Sequence, residues 1–156
     1  MKIFVTFLLA FLISGCMTTG PSPESSEFHD AVQLVVPPEK IVFARSGGWL
    51  PNQFGYNQTP ITIFEPSPTI VPGVFVMTDK DVFFLVYHKD SSKFMKALKI
   101  GIDEINQAVT DTLMNGMRLV LVSDKGVNSF ELAKIGSAFL DKSLMTEIAK
   151  RISEKK

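Results

Sequence analysis

The amino-acid sequence predicts a mainly β protein: a small antiparallel β-sandwich or partly open barrel of about seven strands with one C-terminal α-helix. Short β-branched and aromatic runs, separated by Gly, Pro and Asp turns, fill residues 35–132. After residue 132, the spacing between apolar residues changes from the alternation of a strand to the wider spacing of a helix. The two patterns together indicate strands first and one packed helix last.

The clearest strands are residues 74–77 and 82–87, which flank a short polar turn and predict a β-hairpin. The second of these runs is apolar on both faces, so we expect a strand that is buried on both sides or lies across a tight sandwich. Residues 41–44 and 61–64 are the expected earlier strands. We expect residues 46–72 to form a long connection, apart from the short strand at 61–64.

Three further strands are expected after the hairpin. Residues 99–109 alternate and then change spacing at Asp103-Glu104, which predicts a bulge or a bend. Residues 117–122 and 127–132 flank a turn in which Gly126 is free to adopt positive φ.

The C-terminal segment is expected to form an amphipathic helix packed on the strands. Asp141 and Ser143 both suit its N-cap. The apolar arc of the helix consists of Leu144, Met145, Ile148 and Ile152.

The first fifteen residues predict an export signal that is removed. Lys2 is followed by an apolar run at residues 3–13, which is too short to span a bilayer as a helix, and then by the small pair Ser14-Gly15. Residues 16–31 are rich in Pro, Ser and Glu and predict a flexible tether, which leaves residues 32–156 as the folded domain. Cys16 is the only cysteine, so no intramolecular disulfide is available.

The segment Leu12-Ile13-Ser14-Gly15-Cys16 resembles the lipobox of bacterial lipoproteins. The resemblance implies cleavage before Cys16, a diacylglycerol thioether on its thiol and acylation of the new amino group. Several acyl chains anchor a protein stably, whereas one binds only marginally. Met17 in the second mature position implies sorting to the outer membrane, facing the periplasm. In a Gram-positive cell the same anchor would lie on the outer face of the plasma membrane.

The domain itself resembles GRAM and bacterial PH-like domains. The resemblance lies in the run Gly73-Val-Phe-Val-Met-Thr-Asp-Lys-Asp-Val-Phe-Phe, in the pattern of Ile100, Ile102, Ile105 and Val109, and in a last strand followed by a terminal helix. It covers about residues 35–153 and contains no catalytic signature. The connection at residues 46–72 is longer than is usual in that family.

Two groups of side chains are candidates for binding. The aromatic group is expected on the connection between the first strands, where exposed rings would anchor a protein partner, and it consists of Trp49, Phe54, Tyr56 and Phe64. The alternative is that these rings cap an open barrel end. The basic group is expected on an inter-strand loop, either binding anionic lipid headgroups or forming a solvated face, and it consists of Lys89, Lys93, Lys96 and Lys99.

No pattern in the sequence favours catalysis, a metal or a cofactor. The two histidines, His29 and His88, lie far apart in the chain. Of the acidic pairs, Asp79 and Asp81 are expected in a solvated hairpin turn, and Asp103-Glu104 is expected at a bend. Acidic side chains outnumber basic ones by one when Lys2 is lost with the leader, which disfavours nucleic-acid binding. We therefore expect a non-enzymatic, membrane-anchored module that binds an envelope protein. The alternatives are a module that binds anionic lipid and a hydrolase with an unrecognised site.

Overall fold

The computed structural model describes residues 20–37, 40–51, 70–113 and 116–155. These residues form a mainly β fold that confirms the predicted class, with seven antiparallel strands in one sheet and a C-terminal helix. The strands are β1 (Ile41–Pro51), β2 (Val71–Thr78), β3 (Asp81–His88), β4 (Lys93–Gly101), β5 (Ile105–Leu113), β6 (Gly116–Ser123) and β7 (Gly126–Leu132). The helices are α1 (Ser26–Gln33) and α2 (Lys142–Glu154), and a 3-10 turn (Ile102–Glu104) joins β4 to β5.

The sheet is strongly curled, as its strand order requires. The order is β4-β3-β2-β1-β7-β6-β5, so the consecutive strands β4 and β5 lie at its two opposite edges. In a flat sheet, six inter-strand gaps would separate those edges by about 29 Å. The four peptide steps from Gly101 to Ile105 span at most about 14 Å. The edges therefore approach each other there, and the sheet wraps around an interior.

Aromatic rings from distant parts of the sheet meet in that interior. The rings of Phe75 and Phe130 lie 5.2 Å apart edge to face, and those of Phe84 and Phe130 lie 5.9 Å apart. All three side chains are fully buried. Because Phe130 lies on β7 and the other two lie on β2 and β3, these contacts join the two halves of the curled sheet.

Helix α2 covers the interior along β5, β6 and β7. Asp141 is its N-cap, accepting a hydrogen bond from the backbone N–H of Leu144 at 3.2 Å. At the other end, the Arg151 guanidinium lies 5.3 Å from the Phe43 ring centroid, and Lys155 Nζ donates to the Asp79 carbonyl at 2.6 Å. The predicted apolar arc is the buried face, formed by Leu144, Met145, Ile148 and Ile152 together with Ala149.

Helix α1 covers the outer face of the strands β1 to β4. Its residues overlap the predicted flexible tether, and for them that prediction is wrong. Residues 26–31 were expected to be flexible, but they form most of this helix, which Ser25 caps by accepting from the Phe28 N–H at 3.1 Å. Phe28 and Val32 are fully buried, and the Phe28 ring meets the Phe94 ring edge to face at 5.4 Å. The folded part therefore begins before residue 32.

A second apolar cluster lies under α1, on the opposite side of the sheet from the main core. From the sheet it takes Val74, Val76, Phe83 and Leu85 on β2 and β3, with Ala44 and Phe94 on the flanking strands. Residues 82–85 are fully buried. The expectation that this run is buried on both faces is confirmed.

Two expected connections contain strands. Residues 93–99 were expected in a loop but belong to β4, which pairs with β3 from Asp81↔Gly101 to His88↔Lys93. Residues 46–51 were expected in the long connection but continue β1, which pairs with β2 on one side and β7 on the other. The predicted bend at Asp103-Glu104 is the 3-10 turn between β4 and β5. The expected strand at 61–64 lies outside the described residues.

Replacing the buried Phe28 side chain tests whether α1 packs against the sheet in solution. We expect Phe28→Ala to lower the free energy of unfolding by about 3 kcal/mol or more, because a fully buried aromatic side chain is lost from a packed site. Urea unfolding followed by circular dichroism measures the change. Leu34→Ala is the matched control: its side chain is 82 % exposed at the end of the same helix, and its effect should stay within about 0.5 kcal/mol. Equal effects of the two substitutions would show that α1 is not docked in solution.

An ion pair joins the turn after β4 to the turn after β6. Lys125 Nζ lies 2.8 Å from Glu104 Oε1, and the Gly101 N–H donates to Glu104 Oε2 at 3.2 Å. The hydrogen bond from Lys125, followed by that from the Gly101 backbone, lowers the pKa of the Glu104 carboxyl below its ordinary value. A carboxyl whose folded-state pKa is depressed stabilises the fold above its unfolded pKa, and this contribution is lost as pH falls through the folded value.

We expect carboxyl-carbon NMR titration to place the pKa of Glu104 below that of a free glutamate. Lys125→Met should raise this pKa towards the ordinary value, because it removes the Lys125 hydrogen bond that lowers the pKa most. Lys150→Met provides a control elsewhere on the surface, where Lys150 is paired with Glu154. If Lys125→Met leaves the pKa of Glu104 unchanged, the ion pair between Lys125 and Glu104 does not form in solution.

Candidate functional site

Trp49 lies in the fold and not on an exposed loop, which corrects the expectation for that residue. It is half-buried on β1, opposite Val71 of β2 and Phe130 of β7. Its ring lies 5.7 Å from that of Phe84, and its Nε1–H donates to Asn128 Oδ1 at 2.9 Å. A ring held in this way packs the edge of the main core, as the barrel-capping alternative requires. The other members of the aromatic group, Phe54, Tyr56 and Phe64, lie outside the described residues.

The four lysines of the basic group do not share one loop. Lys89 lies in the turn between β3 and β4, and Lys93 begins β4 opposite His88. Lys96 and Lys99 lie further along β4 and belong to the outer face of the sheet, where both ammonium groups stand near the Phe83 ring, at 5.9 and 5.7 Å from its centroid. The structure therefore divides the group into a turn pair and a strand pair.

The strand pair has structural roles. Lys99 Nζ lies 3.0 Å from Asp81 Oδ2, and the Asp81 carboxylate is largely buried, so this pair compensates a charge at the start of β3. Asp81 was expected to be solvated in a turn; it is instead a buried strand residue whose N–H donates to Thr78 Oγ1 at 2.9 Å. The Lys89–Lys93 turn pair is exposed and is the part of the basic group that suits a ligand.

The N-terminal segment reaches this same end of the hairpin. Gly20 adopts a left-handed conformation, with φ +80°, against the rings of Tyr87 and Phe94. A Cβ on Gly20 would lie 2.6 Å from the Tyr87 ring, so only glycine allows this approach. Because Tyr87 and Phe94 are the ladder pair next to His88 and Lys93, the start of the described chain lies beside the β3–β4 turn.

A polar pocket of about 210 Å³ is a site that the sequence did not indicate. It lies where the N-terminal segment, β1 and the loop before α2 meet, and its cationic side chains are Arg45 and Lys134. Arg45 follows Ala44 on β1. The available signal in the sequence was an arginine placed directly after an apolar strand run.

Acidic, histidine and cysteine side chains do not gather into a metal site within the described residues, where no three of them come together. His29 is on α1, with its ring 5.7 Å from that of Phe28. His88 ends β3, opposite Lys93. Cys16 lies outside the described residues, so its acylation stays a prediction.

Within the described parts of the chain, no helix combines the length and apolar character needed to cross a membrane. A comparison with models of known protein families and a comparison with curated proteins found no match for this chain.

Proposed function

We propose that this chain is a bacterial lipoprotein acylated at Cys16, whose PH/GRAM-like β domain is a non-catalytic interaction module. The domain would act at the periplasmic face of the outer membrane, or on the outer face of the plasma membrane if the cell is Gram-positive. Its partner in this proposal is an envelope protein. The proposal rests on the lipobox pattern and on the docking of the N-terminal segment.

The docked N-terminal segment is the observation that carries the proposal. Gly20 is packed against Tyr87 and Phe94, and α1 follows within a few residues. Only four peptide steps separate Cys16 from Gly20, and they span at most about 14 Å. An acylated Cys16 would therefore hold the domain close to the bilayer. Such a module would meet its partners at the membrane surface.

The anchor is tested at Cys16. We expect metabolic labelling with a palmitate analogue to mark the wild-type protein, which should enter the detergent phase of Triton X-114. Cys16→Ala should abolish both the labelling and the entry into the detergent phase, because only a thiol forms the thioether. Thr19→Ala is the matched control and should behave like the wild type. A mature wild-type protein whose mass includes no acyl chain, or that retains residues 1–15, would contradict the proposal.

The second candidate function is binding of anionic lipid, which the position of Lys89 and Lys93 favours. These two exposed lysines lie at the end of the β3–β4 hairpin that the N-terminal segment approaches. A lysine near an anionic bilayer contributes about 1 kcal/mol, screened by salt. Asp90 in the same turn opposes part of this attraction.

Vesicle binding separates the two candidates. The chain from residue 16, with Cys16→Ser and every described element present, is mixed with phosphatidylglycerol vesicles and sedimented. If the turn binds lipid, Lys89→Gln with Lys93→Gln should weaken binding roughly 30-fold at low salt. Lys142→Gln with Lys150→Gln removes the same charge from exposed positions of α2 and is the control. Equal binding by the two double variants would eliminate this turn as a lipid site.

A further inference from the structure

The outer edge of β5 is unpaired within the described part of the chain. β5 ends the sheet and pairs with β6 alone, so its other edge faces away from the sheet. A groove of about 330 Å³ lies along this edge. Residues 105–109 of β5 form one wall, Ile152 and Ser153 of α2 form the other, and no described residue of β6 contributes to it. The edge is therefore accessible to another strand.

Two hydrogen bonds show which backbone groups of β5 point away from β6. The Ala108 carbonyl accepts from Ser153 Oγ of α2 at 3.5 Å. The Thr112 N–H donates to the carboxylate of Asp111 at 2.7 Å. Because these directions alternate along an antiparallel strand, Thr110 also presents its N–H and carbonyl to the outer edge.

The two edges of the sheet differ in charge. The β4 edge carries exposed lysines, Lys93, Lys96 and Lys99, which oppose pairing with a further strand. β5 carries one charged side chain, Asp111, and neither lysine nor proline. Val109, at the middle of β5, is 36 % exposed. A long edge with so little protection is a surface at which strands pair.

We propose that two copies of this chain pair through their β5 edges as antiparallel strands, with the two-fold axis at Val109. Outward backbone groups have to meet outward backbone groups, so the axis passes through a residue and not between two residues. At Val109 the axis sets Ala108 opposite Thr110 of the second copy, and both residues have outward groups. The two exposed valines then cover each other.

The charges favour this register over its neighbours. With the axis at Val109, Gln107 lies opposite Asp111 of the second copy, so that an amide donor faces a carboxylate. An axis at Asp111 would set two carboxylates opposite each other, and an axis one residue to either side of Val109 would set the carboxylate opposite an apolar residue. The pairing does not depend on the anchor at Cys16, although tethering to one surface would raise the effective concentration of the two copies.

Disulfide cross-linking tests the position of the axis. The chain from residue 16 with Cys16→Ser has no other cysteine, so one introduced thiol reports one contact. Val109→Cys should form a disulfide-linked dimer on air oxidation, because Val109 would face its own copy in a non-hydrogen-bonded pair, whose Cα atoms lie about 4.5 Å apart. Met95→Cys, 54 % exposed on the β4 edge, is the matched control and should stay monomeric. If Val109→Cys cross-links no more than Met95→Cys, the proposal is overturned.

Sedimentation equilibrium of the same Cys16→Ser chain, at up to millimolar concentration, tests the charges. Gln107→Lys sets an ammonium group opposite Asp111 twice in the dimer and should lower the dissociation constant severalfold. Gln107→Asp sets carboxylates opposite each other and should raise it severalfold. Val109→Lys sets two ammonium groups at the axis and should raise it roughly tenfold or more, whereas Met95→Lys, its matched control, should leave it unchanged. Gln107 is exposed, so its variants remain informative if Val109→Lys fails to fold.

A wild-type chain that sediments as a monomer throughout, or equal dissociation constants for the two Gln107 variants, would refute the pairing. Amide hydrogen exchange tests for other occupants of the edge. The Thr110 N–H should exchange more slowly as the protein concentration rises. Full protection at micromolar concentration would show that the edge is covered within one molecule, and protection gained only with a different envelope protein would assign the edge to that protein; both contradict the proposal. Failure of the anchor is read separately, from acylation at Cys16.

Discussion

Burial on both faces of the β2–β3 hairpin is the constraint on which the rest of the fold depends. One face contributes Phe75, Met77 and Phe84 to the main core, and the other contributes Val74, Val76, Phe83 and Leu85 to the outer cluster. A strand pair that is apolar on both sides needs a cover on each side. The curled sheet with α2 provides one cover and α1 provides the other. The N-terminal helix is therefore as much a part of the fold as the last one.

This requirement connects the fold to the proposed position at the membrane. Because α1 has to sit on the hairpin, the chain before it has to run along the end of the hairpin, where Gly20 meets Tyr87 and Phe94. The same path brings Ser22 and Glu24 to the pocket that contains Arg45. The Lys89–Lys93 turn thus adjoins the segment that would lead to the anchor.

The sequence predicted the elements whose apolar residues follow a single clear spacing, that of a strand or that of a helix. The hairpin at residues 74–87 and helix α2 have clear spacing, and both are found as expected. Helix α1 was missed because it follows a stretch rich in Pro, Ser and Glu, and because five of its own eight residues are polar, although Phe28, Val32 and Val36 recur at a helical spacing of four. Residues 93–99 of β4 were missed because β4 is an edge strand: its lysines protect a free edge and conceal the buried Phe94.

The candidate sites were less accessible to sequence reasoning than the fold, because they depend on which segments meet. Trp49 could be assigned to the core only once β1 was seen to pair on both sides. Arg45, Lys134 and Ser22 come from three separate parts of the chain, and no local pattern links them.

The contact between Phe28 and Phe94 has a consequence for the order of events during biosynthesis. Phe28 is made early, whereas the strand that carries Phe94 follows only after β1, β2 and β3 have been synthesised. Until then the apolar side of α1 has no complete sheet face to pack against. Contacts between residues as far apart in sequence as Phe28 and Phe94 also form slowly. In newly made molecules the apolar face of α1 would thus stay exposed for a time. During that time a chaperone that binds apolar helices would protect them from self-association.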